Sequence, residues 1–148
     1  MDILDEHLER TNKLGNFVCP DLEELEYWEV RMILPYLLEL SYGPLADYFK
    51  EKYITGDFDK PNAISFFYYI YDELRRISEL ESRHITFKQD TNVIHSARAR
   101  EFPQLMELYQ VAQGCPIKAE KIKKMKYGDI FDLLLYQSID SEKKYRKP

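Results

Sequence analysis

Apolar residues recur at helical spacing along most of the chain, and the clearest pattern covers residues 62–83. Its first half, Ile64 to Tyr71, is apolar or aromatic on all sides, whereas its second half carries one apolar stripe of Leu74, Ile77 and Leu80. A helix without a polar face is buried on several sides. The pattern therefore predicts a central aromatic helix over 62–83, covered either by neighbouring helices or by another subunit.

Shorter helical patterns precede the central one. Residues 2–14 predict a first helix that ends at Gly15. A second helix is predicted to begin at Asp21, which is a favourable N-cap residue, and Pro35 lies inside its apolar pattern. Because the proline ring would clash with the carbonyl group of Arg31, we expect a kink or break there.

The rest of the chain predicts helices at 44–56, 103–113 and 116–126, and a last helix that begins at Gly128. Between them, residues 84–100 break the helical pattern with short β-prone runs, which predict a small hairpin or an ordered loop. No internal repeat stands out. The inward side of the last helix is expected to consist of Ile130, Phe131, Leu133, Leu134 and Ile139.

Together these patterns predict an all-α or mostly α fold, a compact multi-helix bundle around the central helix 62–83. The chain has 148 residues, which is enough for one core without disulfides or a structural metal. We expect a single domain over residues 1–140. The basic segment 141–148 is expected to be a frayed tail.

The composition bears on the compartment more than on the activity. Cys19 and Cys115 form no CxxC motif, and the N-terminus is acidic where a signal peptide would be basic. No apolar run approaches the roughly 20 residues of a membrane span. We therefore expect a cytoplasmic protein with free thiols and no membrane contact.

Charge is distributed unevenly along the chain. Residues 1–30 carry nine acidic and two basic side chains, whereas residues 115–148 carry nine basic and five acidic ones. This asymmetry suggests that the acidic and basic regions meet, within one chain or head to tail between chains. The net charge of −5 argues against non-specific nucleic-acid binding by the whole molecule.

Motifs for catalysis are sparse. Glu81 and His84 form a single Glu-x-x-His unit, and a folded-back segment would bring His84 near Asp90 and His95. Two imidazoles and a carboxylate would suit zinc or non-haem iron. An exposed polar hairpin without a metal would contain the same residues and is the favoured interpretation. The chain has no Gly-rich phosphate loop and no Gly-x-Ser-x-Gly motif. We therefore expect neither an enzyme nor a cofactor, and a metal-dependent enzyme is the least favoured hypothesis.

One segment has a likeness to a known family. Residues 122–145, which include the run Tyr127-Gly128-Asp129-Ile130-Phe131, resemble the C-terminal part of some phage tail assembly chaperones. The resemblance covers about a sixth of the chain. It implies a small accessory protein of phage or mobile-element assembly.

These observations favour a non-enzymatic helical protein that acts in protein–protein interaction or as a structural or accessory component, with a partner protein or a second copy as its target. The alternative is a nucleic-acid-binding regulator that uses the basic helix 117–126 and the C-terminal tail. The candidate interaction surface consists of Phe66, Tyr68, Tyr69, Tyr71, Lys118, Lys121 and Lys124.

Overall fold

A computed structural model describes residues 9–85 and 103–145, and it confirms the mostly α fold. The helices are α1 (Leu34–Leu40), α2 (Tyr42–Tyr53), α3 (Lys60–His84), α4 (Pro103–Val111), α5 (Pro116–Lys124) and α6 (Tyr127–Tyr145). The predicted hairpin or loop at 84–100 lies almost entirely outside the described residues. No helix in the described ranges combines the length and apolar character needed to cross a bilayer.

The predicted first helix is wrong where the structure describes it. Strand β1 (Lys13–Leu14) pairs antiparallel with β2 (Phe17–Val18). Gly15 turns the chain at φ +59°, a conformation that side chains with a Cβ rarely adopt. The next amide, that of Asn16, donates to the carbonyl of Thr55 at 2.6 Å. Gly15 is therefore the turn of a small hairpin anchored to the segment that follows α2.

The α-helical pattern is interrupted near Pro35, as expected, and the interruption is a π turn. After a 3₁₀ turn (Leu22–Glu24), a π turn (Glu29–Ile33) leads directly into α1, and Asp21 makes no side-chain cap bond. The amide of Leu34 donates to the carbonyl of Glu29, five residues back. Pro35 has no amide to donate to the carbonyl of Arg31, so regular α-helical hydrogen bonding is interrupted at this point.

The acidic and basic ends of the chain meet within the molecule. Glu26 and Lys126 form an antiparallel bridge, in which Tyr27 N donates to Met125 O at 2.7 Å and Tyr127 N donates to Leu25 O at 2.8 Å. This bridge joins the segment before the π turn to the segment before α6. The ammonium group of Lys126 also lies 2.8 Å from a carboxylate oxygen of Glu24.

The central helix is longer than predicted by two residues at its start, and its own chain covers it. Phe66 and Ile70 are fully buried. The ring of Phe49, from α2, meets Phe66 edge to face with centroids 4.8 Å apart. Intrachain packing therefore accounts for the buried part of the aromatic run.

Helix α6 differs from its prediction in two respects. It continues through residues 141–145, where the sequence predicts a frayed tail. Ile130 and Leu134 are buried as expected and Phe131 is half-buried, but Leu133 and Ile139 are exposed. Within the described residues, α3 and the 3₁₀ turn are the elements that pack most extensively on this helix.

Gly15→Ala is expected to lower the free energy of unfolding by about 2 kcal/mol or more. The added Cβ would lie 2.2 Å from the carbonyl oxygen of Thr55, at a φ that alanine resists. Gly43→Ala is the matched control, because no atom lies within 4 Å of its Cβ position. Urea unfolding of both variants measures the difference, and equal stabilities would contradict the hairpin geometry.

Candidate functional site

The most unusual feature of the interior is a buried arginine shared by two glutamates. Arg31, in the π turn, forms a two-pronged hydrogen bond with Glu81 of α3, in which Nη1 lies 3.1 Å from Oε2 and Nη2 donates to Oε1. Its Nε lies 2.9 Å from Oε2 of Glu107 in α4, an ionic contact rather than an aligned hydrogen bond. The three side chains are only 18%, 9% and 11% exposed.

Two tyrosines complete this group. The hydroxyl of Tyr27 donates to Glu107, and the hydroxyl of Tyr127 donates to Glu81. Their rings are nearly parallel, at 9° with centroids 6.4 Å apart, and the guanidinium carbon of Arg31 lies 5.8 Å from each ring centroid. We call Tyr27, Arg31, Glu81, Glu107 and Tyr127 the arginine cluster.

The arginine cluster is electrostatically uneven. One guanidinium faces two carboxylates, so the ionised cluster carries an excess negative charge in a buried place. Burial raises the pKa of Glu107, and the nearby Glu81 raises it further, against the lowering effect of Arg31 and Tyr27. Burial and the neighbouring carboxylates also raise the pKa values of both tyrosines, so their hydroxyls remain donors.

A second buried carboxylate lies on another side of the π turn. The side chain of Glu29 is fully buried and accepts from the Tyr53 hydroxyl at 2.7 Å, from the Lys52 ammonium at 2.6 Å and from the Tyr48 hydroxyl. These three donors belong to α2 and its end. The π turn thus directs Glu29 towards α2 and Arg31 towards α3 and α4.

Beside the arginine cluster, a solvent-open groove of about 330 Å³ is lined by residues of the π turn, α1 and α3. Arg31 and Glu81 border it, Arg75 and Ser78 are exposed beside it, and most of the remaining wall is apolar. The apolar and aromatic wall residues are Val30, Pro35, Leu38, Tyr71, Leu74 and Ile77. The hydrogen bonds of Arg31 and Glu81 are made within the cluster, so the groove offers mainly shape and apolar surface.

The structure separates the predicted aromatic surface into different environments. Phe66 is core, and Tyr69 is half-buried, which with nearby carboxylates raises its pKa to about 12. The ring of Tyr68 lies 5.1 Å from the guanidinium of Arg10. Tyr71 alone among the four is exposed, and it lines the groove.

The predicted basic surface is solvent-exposed. Lys118, Lys121 and Lys124 are all exposed on α5, and none has an ion pair within the described part of the chain. Lys123 differs, since it lies 3.1 Å from Glu120 and over the ring of Trp28.

The structure does not support the proposed metal ligands where it describes them. Glu81 is engaged by Arg31 and Tyr127, whereas His84 is exposed at the end of α3. Asp90 and His95 lie outside the described residues. Within residues 9–85 and 103–145, no group of three or more His, Cys, Asp or Glu side chains is arranged to hold a metal ion.

Sequence reasoning missed most of the arginine cluster, although one signal was present. The segment around Tyr27 and the segment around Tyr127 share a pattern of residue types. In each segment, an apolar residue lies five positions before the tyrosine and an acidic residue lies two positions after it. Further apolar residues lie three and seven positions after it. The pairs are Leu22 and Ile122, Glu29 and Asp129, Val30 and Ile130, and Leu34 and Leu134. In the structure these two segments are the ones that the Glu26–Lys126 bridge joins.

The described residues define a small helical protein with a buried arginine cluster beside an open groove. No protein-family model, curated protein or solved structure matches the chain. The interpretation of the site therefore depends on its geometry.

Arg31→Met is expected to destabilise the fold by about 3–5 kcal/mol, because it leaves two buried carboxylates without their cation. Arg75→Met is the matched control on the rim of the groove. Its ion pair with Glu79 is exposed and 3.7 Å long, so we expect a loss below about 1 kcal/mol. Denaturant unfolding at neutral pH compares the two, and similar losses would show that the arginine cluster does not support the fold.

Glu107→Gln is expected to change the pH dependence of stability. The pKa of Glu107 is higher in the folded protein than in the unfolded chain. The favourable contribution of Glu107 to the free energy of unfolding is therefore fully present below its pKa in the unfolded chain. This contribution is lost as the pH rises through its pKa in the folded protein. The variant should therefore gain stability relative to the unmodified protein as the pH rises from about 4, near the pKa of an unfolded glutamate, towards neutral. Urea unfolding across this range provides the test, and a constant difference between the two proteins would argue against it.

Proposed function

We propose that this is a non-enzymatic helical interaction protein whose groove between α1 and α3 binds an amphipathic helix of a partner protein. The observation that carries the proposal is the groove itself, open to solvent and walled mainly by apolar side chains of two helices. Amphipathic helices commonly bind in such grooves by placing their apolar face inside.

The surroundings of the groove support this proposal. Arg31 and Glu81 line the groove, and their hydrogen bonds tie the π turn to α3, so the walls are held in place before a partner arrives. A preorganised site loses less free energy on binding than one that must first be ordered. Arg75, which is exposed beside the groove, suits an acidic residue at the polar edge of the partner helix.

Ser78→Arg tests the proposal, because it places a long cationic side chain over an exposed edge of the groove. Ser82→Arg is the control, since Ser82 is exposed on the same helix but does not line the groove. A photocrosslinking residue at position 78 identifies the partner, and titration calorimetry with the purified pair then gives the affinity. We expect Ser78→Arg to weaken binding at least about tenfold and Ser82→Arg to leave it unchanged. Equal affinities would exclude the groove as the binding site.

A further inference from the structure

Helix α5 presents an apolar and basic face to solvent. Ile117, Lys121 and Lys124 are separated by four and then three residues, so they lie on one side of the helix. All three are exposed, Ile117 by 72%. Lys121 and Lys124 differ from Lys123 and Lys126, which pair with glutamates.

Helix α6 presents the complementary face. Asp129, Asp132 and Tyr136 are separated by three and then four residues, and all three are exposed, Tyr136 by 66%. This face is acidic towards the start of the helix and apolar further along, where Leu133 and Ile139 are also exposed.

The two faces match in register when the helices are antiparallel. Ile117 then lies opposite Tyr136, and the equal spacings bring Lys121 opposite Asp132. The same register places Lys124 opposite Asp129, because every α-helix rises about 1.5 Å per residue. Within one chain these side chains remain exposed, so α5 and α6 do not bury these faces against each other.

We infer that a second copy of this chain covers these faces, with α5 of one copy packed antiparallel on α6 of another. The argument rests on charge complementarity, matched spacing and an apolar contact at the same end of both faces. A nucleic acid would match the lysines but would leave Ile117 without a partner, and the protein's net charge is −5. This interface is separate from the groove of the proposed function.

Each copy carries both faces, so each can supply α5 to one contact and α6 to another. If two copies exchange both contacts, a closed dimer results; if they do not, the contact propagates to a ring or filament. In either case the assembly is held partly by charge pairs at the surface. Its stability should therefore decrease as ionic strength increases.

The test is light scattering after size-exclusion chromatography, with absorbance recorded at 260 and 280 nm. At a protein concentration of about 0.1 mM and low salt we expect a mass of at least twice 17.8 kDa. The mass should decrease between about 0.05 M and about 0.5 M salt. Two charge-reversal variants, Lys121→Glu with Lys124→Glu, and Asp129→Lys with Asp132→Lys, should each be monomeric.

Mixing the two variants provides the decisive arm. In each variant alone, the α5 face and the α6 face carry charges of the same sign and repel each other. In the mixture, the acidic α5 face of the first variant can pair with the basic α6 face of the second. The unchanged α5 face of the second variant can pair with the unchanged α6 face of the first. The mixture should therefore recover the higher mass. Lys13→Glu with Lys118→Glu is the control for net charge, since both lysines are exposed and neither lies on the matched row, and it should retain the assembly.

Three results would overturn this inference. The first is a monomeric unmodified protein at low salt, and the second is a mixture of folded variants, checked by circular dichroism, that stays monomeric. The third is excess absorbance at 260 nm that disappears in high salt or in the α5 variant, with no change in protein mass. Ser78→Arg should leave the assembly intact, so failure of this inference and failure of the groove proposal are distinguishable.

Discussion

The packing of this protein depends on how one buried arginine is neutralised. The guanidinium of Arg31 contacts carboxylates from two helices, and two tyrosines hold those carboxylates from the remaining sides. The desolvation of a buried charge is compensated only when its partners are close and well oriented. The arginine cluster therefore constrains the relative positions of the π turn, α3, α4 and the start of α6, which are far apart in the sequence.

The π turn makes this arrangement compatible with a second one. Glu29 and Arg31 are two residues apart, yet they serve different buried groups, one facing α2 and the other facing α3 and α4. Pro35 contributes by removing the amide that an α-helical turn would need at that point. A helix defect next to one proline is thus coupled to the packing of four helices.

The interior and the surface of the molecule differ in what they offer to other molecules. The buried charged groups are satisfied mainly by one another, so their principal effect is to position the helices. The uncovered features of the described residues include a mostly apolar groove beside the arginine cluster and the outward faces of α5 and α6. Each combines apolar side chains with a few charges at defined spacing, and both proposals rest on this combination.

The sequence by itself determined the class of fold and the positions of most helices, because helical periodicity is a local property. Residues 62–83 were predicted as the central helix, and α4 and α5 lie within the predicted ranges. It also identified Tyr71 and the lysines of α5, which are exposed, but it could not separate them from Phe66, which is core. Only the tertiary structure decided the hairpin at Gly15, the buried partners of Glu29 and Arg31 on the π turn, and the arginine cluster. Each of these depends on partners about 20 to 100 positions away, such as Thr55 for Gly15 and Glu107 for Tyr27, and no local pattern specifies which distant residue will become the neighbour.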